Sequence, residues 1–453
     1  MKLHKSGGVL IYFFGALGGL LFGFDTAVIS GALLFIKRDF NLTNGGLEGL
    51  IVTALTFGAI FGALASGPIA DRFGRRKFIV VLGALFTIGG LGCGLSVNIT
   101  MLILFRFLLG LSVGAASGLV PLYLAEMAPT NVRGRLSSLN IVMNTFGMLM
   151  GYVANNIYAP SSDWRAMLLW AVAPSVILMV GMIFMPESPR WLFQYKGVEA
   201  ARQVLLLTRN SKEAEEELSS IQATINAEVV SGQASFKMLR EPWLRPVILA
   251  GVVIAILQQT LGAQTIAYYE PTILQAAGFS DSVSIASTIG IGLVLFMGVL
   301  IGMNLVDRWG RKKLLMFGSA GMAISMFLLA VVDHVGFASW SMVVLLSLFM
   351  GFFGLSWAFT PWIVIAEIFP LKIRGMATGL CTTCLWITCT VVAQLFPMVQ
   401  PILSSFVVFL FFTFMCLFSI FFVARFVPET TGRSLEQIEA DLMKEYRRKG
   451  KSA

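Results

Sequence analysis

The chain has 453 residues, of which 57% are hydrophobic and only 13% charged, and its formal net charge is +9. A soluble domain carries about 25% charged residues, so this composition excludes a protein whose whole surface faces water. The basic residues sit in short loops between apolar runs, whereas nucleic-acid recognition needs a basic face on a soluble domain.

A helix needs about 20 apolar residues to cross the hydrocarbon core, and twelve such runs follow one another along the chain. The first six are centred near Leu21, Ala59, Ala84, Leu111, Met148 and Ser175. The other six are centred near Thr260, Leu295, Met322, Gly354, Trp386 and Thr413. The first run is too long for a cleavable signal and lacks a small-residue cleavage site after it. Cys93, Cys381, Cys384, Cys389 and Cys416 all fall inside apolar runs and read as small packing residues, and His4 and His334 cannot build a metal site. The expected fold class is therefore an all-α integral membrane protein of twelve transmembrane helices in two six-helix halves. Its parts are residues 1–186, a charged and helical cytoplasmic linker at 187–243, residues 244–427, and a tail at 428–453.

Lys and Arg set the orientation of such a chain. One set of loops holds "DRFGRRK", "VRGR", the linker, "DRWGRKK" and "LKIRG", and the tail "KEYRRKGK" joins them. The other set holds only Lys37, Arg38 and Arg165 as basic residues. Both termini are expected in the cytoplasm.

The chain also repeats itself. "DRFGRRK" (71–77) returns as "DRWGRKK" (307–313), "EMAPTNVRG" (126–134) as "EIFPLKIRG" (367–375), and "PESPRWL" (186–192) as "PETTGRSL" (428–435). Offsets of roughly 240 residues mean two halves in the same orientation, the parallel duplication of a transporter with a midplane site. The repeated charges suggest gating at the cytoplasmic face, where ion pairs can break and re-form during a transport cycle. In the first half they are Asp71, Arg75, Arg76, Glu126, Arg133, Glu187 and Arg190. Their counterparts in the second are Asp307, Arg311, Glu367, Arg374 and Glu429.

Asp25, in "FGFDTAVISGALLFI", and Arg106, in "LILFRFLLG", are the clearest ionisable residues within spans of the first half. A charge at the bilayer centre costs roughly 2.5–3.5 kcal/mol on insertion scales, so each needs a partner and a purpose. In general, low dielectric favours a protonated carboxyl and a neighbouring guanidinium favours the ionised one, so such a pair can respond to a proton.

Over nearly its whole length the chain resembles the sugar porter family of the major facilitator superfamily. The motifs that carry the resemblance are "DRFGRRK", "EMAPTNVRG", "PESPRWL", "QQTLGAQTIAYY" and "PETTGRSLEQIE", in the family's order. The opening "GALGGLLFGFDTAVISGALLFI" looks like that of bacterial proton-coupled hexose and pentose symporters. The resemblance implies Asp25 as the proton site beside Arg106, and Gln258 and Gln259 as binders of sugar hydroxyls. It further implies Gln264, Tyr268, Trp362 and Trp386 at the substrate. The chain departs from the pattern at Ile141, Leu295 and Leu385, each in place of an amide, at Gln264 in place of an asparagine, and at Pro361, two places from the usual proline. Asn144, one turn beyond Ile141, is the candidate to replace a missing amide.

The expectation is a monomeric, proton-coupled importer of a hexose or pentose in the cell membrane. Its partners are the sugar, the proton and the lipid bilayer, with no nucleic acid and no cofactor beyond the proton as coupling ion, and it is not an enzyme. The missing amides keep open a carrier of a polyol such as inositol, or an uncoupled facilitator. A transporter-like nutrient sensor is the remote alternative.

Overall fold

A computed structural model of the chain describes residues 3–129, 133–231, 238, 241–336, 339–370 and 373–430, with the side chains of 3–9, 133–137, 227–231 and 339 left out. Every regular element among these residues is helical. Among the described residues, eleven segments are long and apolar enough to cross a membrane. The twelfth span is α5 (Arg133–Tyr158), whose 26 residues include Asn140, Asn144, Asn155 and Asn156, which lower its hydropathy. The chain divides into two compact units, Met1–Gly232 and Gln233–Ala453.

In the first unit the spans are α1 (Leu3–Asp39), α2 (Gly45–Phe73), α3 (Arg75–Gly94), α4 (Ile99–Met127) and α5, followed by α6 (Trp164–Leu169) and α7 (Val172–Ile183), which together make the sixth. Asn44 and Asn98 cap α2 and α4, their side chains accepting from the amides of Gly46 and Met101. Lipid tails supply no hydrophobic drive between helices, so close packing must come from small residues. Gly58 and Gly62 of α2 face Gly110 and Gly114 of α4, and a Cβ on any of them would collide with the other helix's backbone. The α1–α5 seam is built alike, with Gly23 against the backbone of Asn144 and Gly147 against that of Leu20. Asn155 crosses this seam to donate to the Ala27 carbonyl at 3.0 Å.

The seams are testable by matched substitutions. Gly114→Ala drives a methyl into Ala59, whereas Gly67 on α2 has nothing within 4 Å of its Cβ direction. Gly114→Ala is expected to destabilise the protein by about 1–3 kcal/mol, as overpacking does, and Gly67→Ala to leave thermal denaturation in detergent unchanged. Equal midpoints for the two variants would contradict the seam.

Three further helices, α8 (Pro189–Lys196), α9 (Val198–Leu205) and α10 (Ser211–Ser231), lie in the charged stretch. They share a small core of Ala201, Leu205, Ala214 and Leu218. Arg209, between α9 and α10, ties them to the membrane helices: it donates to the carbonyls of Met127 (3.4 Å) and Ala128 (2.8 Å) at the end of α4 and pairs with Glu217.

The second unit contains α11 (Arg245–Thr260), α12 (Ala263–Ala276), α13 (Asp281–Trp309), α14 (Arg311–Val335), α15 (Ser339–Leu355), α16 (Thr360–Ile368), α17 (Arg374–Val399) and α18 (Ser405–Phe426). Two of its spans are broken. The first break, between α11 and α12, falls at Gly262, whose φ of 93° only glycine adopts readily and whose Cβ direction is filled by Phe412. The second, at residues 356–359, separates α15 from α16 ahead of Pro361. The α13–α15 seam repeats the α2–α4 device, with Gly298 and Gly302 against the backbone of Gly351 and Leu355.

Candidate functional site

Asp25 lies in α1 at 2% exposure and Arg106 in α4 at 0%. Arg106 stands one turn before Gly110 and two before Gly114, so the glycine seam also aims its side chain at α2. There Nε donates to the Ile51 carbonyl and Nη2 to that of Val52 at 3.3 Å. The guanidinium is thus held by neutral carbonyls, and its charge acts through space on the Asp25 carboxylate. Cys93 of α3 feels both charges, which places all three groups in one neighbourhood. Asp25 Oδ2 is buried and accepts no hydrogen bond from the protein. No hydrogen bond to Oδ2 would have to break for a proton to bind there.

The repeated charges form one network in each unit. In the first, Arg75 meets Asp71 at 2.9 Å and Glu126 at 3.2 Å, the latter an ion pair without hydrogen-bond alignment. Glu187 accepts from the Arg76 amide at 2.9 Å, setting an anion on the N-terminus of α3 where the helix dipole favours it. Gly74, φ 96°, keeps that approach open, because a Cβ there would strike the Glu187 carboxylate. The Arg76 guanidinium donates to the Met185 carbonyl, and the charge of Arg190 acts on Glu126. The Arg133 side chain lies outside the described residues.

The second unit copies this arrangement. Arg311 meets Asp307 at 3.1 Å and Glu367 at 3.0 Å. Glu429 accepts from the amides of Arg311 (3.1 Å) and Lys312 (3.3 Å) at the start of α14, again beside a positive-φ glycine, Gly310. Arg374 closes the end of α16 by donating to the Phe369 carbonyl from Nε and Nη2. Each network joins helices of its own unit.

Five of the expected substrate residues stand beside the two helix breaks of the second unit: Gln258, Gln259, Gln264 and Tyr268 at the first and Trp362 at the second. Gln258 (5% exposed) and Gln259 (7%) end α11 just before the Gly262 break, and the Oε1 of each is buried without a protein donor. Gln258 Nε2 donates to the Trp357 carbonyl at 3.1 Å, in the other break. Gln264 is half-buried in the first turn of α12, and Tyr268 is buried one turn on. Trp362 is half-buried at the start of α16 and Trp386 buried in α17. Of the apolar replacements, Leu295 and Leu385 are buried, and Ile141 is half-buried in α5. Asn144 lies in the first unit, half-buried against α1, with Nδ2 3.5 Å from the Gly19 carbonyl.

Sequence reasoning passed over Arg209, Asn155 and Glu270. Glu270, fully buried in α12 between Tyr269 and Pro271, could have been found by the same test that singled out Asp25, a carboxylate inside an apolar run.

A family model described as "Sugar (and other) transporter" matches residues 11–442. The glucose transporter GlcP of Staphylococcus epidermidis is 43% identical over 98% of both chains. The major myo-inositol transporter IolT of Bacillus subtilis is 39% identical over 93% of this chain and 91% of its own. Among solved structures, the xylose transporter XylE from E. coli superposes with a TM-score of 0.84 at 28% identity, over 95% of this chain and 100% of that one. XylE, a proton:xylose symporter, has also been solved with 6-bromo-6-deoxy-D-glucose bound.

The helical architecture is that of a membrane transporter of the major facilitator fold, and not of an enzyme. Within that class, the chain belongs to the sugar porter family.

Proposed function

We propose that the protein imports a hexose or pentose across the cell membrane by proton symport, with Asp25 carrying the proton and both termini in the cytoplasm. The observation that carries the coupling is the Asp25 carboxyl, buried, with Oδ2 free of any protein donor, in the field of an arginine that neighbouring carbonyls hold in place. Protonation cancels the attraction between the two, so the energy of α1 against α4 depends on whether a proton is bound. The substrate is held by Gln258, Gln259 and Gln264, with Tyr268, Trp362 and Trp386 supplying aromatic faces. The charge networks on Arg75 and Arg311 serve as cytoplasmic latches, and the protein acts as a monomer in the bilayer without a cofactor.

A polyol carrier is the second reading. Leu295 and Leu385 are buried where sugar porters carry amides, which suits a substrate whose hydroxyls are arranged differently, and the relative IolT transports myo-inositol. Uptake of labelled hexoses, pentoses and inositol by proteoliposomes, with and without an imposed pH gradient, separates the readings. Sugar uptake raised severalfold by an acidic exterior supports symport of a sugar. Uptake indifferent to the gradient overturns the coupling, and uptake of inositol alone overturns the sugar.

A further inference from the structure

The displaced proline has a consequence in the second unit that begins with one missing hydrogen. Pro361 has no N–H, so it cannot donate to the carbonyl four residues back, that of Trp357. The neighbouring carbonyls are served by the backbone: Ser356 accepts from Thr360 at 3.1 Å, Phe353 from Ala358 at 3.0 Å and Phe359 from Trp362 at 3.1 Å. The Trp357 carbonyl accepts instead from Gln258 Nε2 at 3.1 Å. Trp357 is itself fully buried, at 0% exposure, its indole N–H donating to Ser319 Oγ at 2.7 Å.

A glutamine amide has two orientations that differ by exchange of its oxygen and nitrogen. Flipping Gln258 would set its oxygen against the Trp357 carbonyl, two acceptors facing each other in a buried place. The flip is thereby disfavoured, and Oε1, buried and without a protein donor, is held as the acceptor left over. With an ordinary residue at 361 the backbone could satisfy Trp357, and the amide would be released to offer either end.

We propose that Pro361 is a positioning residue that locks the Gln258 amide in one orientation, so that the substrate hydroxyl at this place must donate its hydrogen to Oε1. This rests on the sugar-binding reading of Gln258 and adds the direction of the hydrogen bond to it. A hydroxyl read as a donor cannot be replaced by fluorine, which accepts but does not donate.

The experiment measures binding of the transported sugar and of its monodeoxy and monodeoxyfluoro analogues to the purified full-length protein. Gln258→Leu identifies the contacted hydroxyl as the ring position whose deoxygenation no longer matters. At that position the unmodified protein is expected to lose affinity about tenfold for the deoxy and deoxyfluoro analogues alike. In Pro361→Ala the freed amide can turn its N–H outward, and the deoxyfluoro analogue is expected to bind better than the deoxy one. A deoxyfluoro analogue that binds the unmodified protein as well as the parent sugar overturns the proposal, as does Pro361→Ala with an unchanged ratio between the two analogues.

Should Pro361→Ala fail to fold, Gln258→Glu gives a second measurement. Its ionised carboxylate cannot donate to Trp357, but its protonated form can. The ratio of its Kd to that of the unmodified protein is therefore expected to fall as pH is lowered, and a ratio flat with pH overturns the lock. Failure of the unmodified protein to bind any sugar counts against the sugar-binding reading itself, an outcome distinct from both.

Discussion

Asp25→Asn is expected to abolish gradient-driven accumulation of substrate while leaving counterflow exchange near the level of the unmodified protein. Asparagine keeps the size of the side chain and its place in α1, where Asp25 is only 2% exposed, but it has no proton to bind and release. At one proton per substrate, a gradient of one pH unit supports about a tenfold accumulation, worth about 1.4 kcal/mol. Without a titrating group the internal concentration should stop at the external one. Exchange needs only that the loaded carrier change conformation, and a neutral residue beside Arg106 resembles the protonated state. Accumulation by the variant equal to that of the unmodified protein would remove Asp25 from the coupling path.

The second large effect is an asymmetry between the two copies of the charge network. The Arg75 and Glu126 side chains are 9% and 8% exposed, whereas those of Arg311 and Glu367 are 13% and 29% exposed. Removing one member of a buried pair leaves an uncompensated charge and costs about 3–5 kcal/mol. The value of an exposed pair is about 0–1 kcal/mol, because water screens it. Glu126→Gln leaves Arg75 with the Ala70 carbonyl at 3.2 Å and, as an anion, Asp71, which is 64% exposed at the rim. Glu367→Gln keeps an acceptor for the Thr430 hydroxyl and exposes Arg311 to solvent that already reaches its partner. Thermal denaturation in detergent should therefore show a much larger fall for Glu126→Gln than for Glu367→Gln. Equal shifts, or the reverse order, would mean that the duplicated motif does not hold the two units unequally.

The spans were legible because length and apolarity are summed along the chain and need no knowledge of neighbours. The exception proves the same physics: α5 falls short in hydropathy because it carries asparagines, of which Asn140, Asn144 and Asn155 face α1 rather than lipid, and Asn155 bonds Ala27 there. The pairing of Arg75 with Glu126 and of Arg311 with Glu367 was legible through duplication, since the same charges recur at the same helix ends. Arg209 was not, because an arginine in a charged linker reads as solvated until the fold brings it beneath the end of α4.

The amide set shows where reading by position stops. Gln258 and Gln259 could be named from "QQTLGAQ", and the proline shift at 361 could be noticed, but not the bond between the two places. That bond depends on which carbonyl the proline strands, and so on the register of a broken helix far along the chain. Asn144 illustrates the converse. Its place one turn from Ile141 suggested a substrate contact, and the fold sets its amide toward the Gly19 carbonyl across a seam already lined by Gly23.

The most direct test of proton symport needs no substitution and no radiolabel. Sugar is added to de-energised proteoliposomes in a weakly buffered suspension, and the external pH is followed. Symport predicts a transient alkalinisation that starts with the sugar, saturates with its concentration and vanishes with a protonophore. Entry of the same sugar with no change in external pH would contradict it.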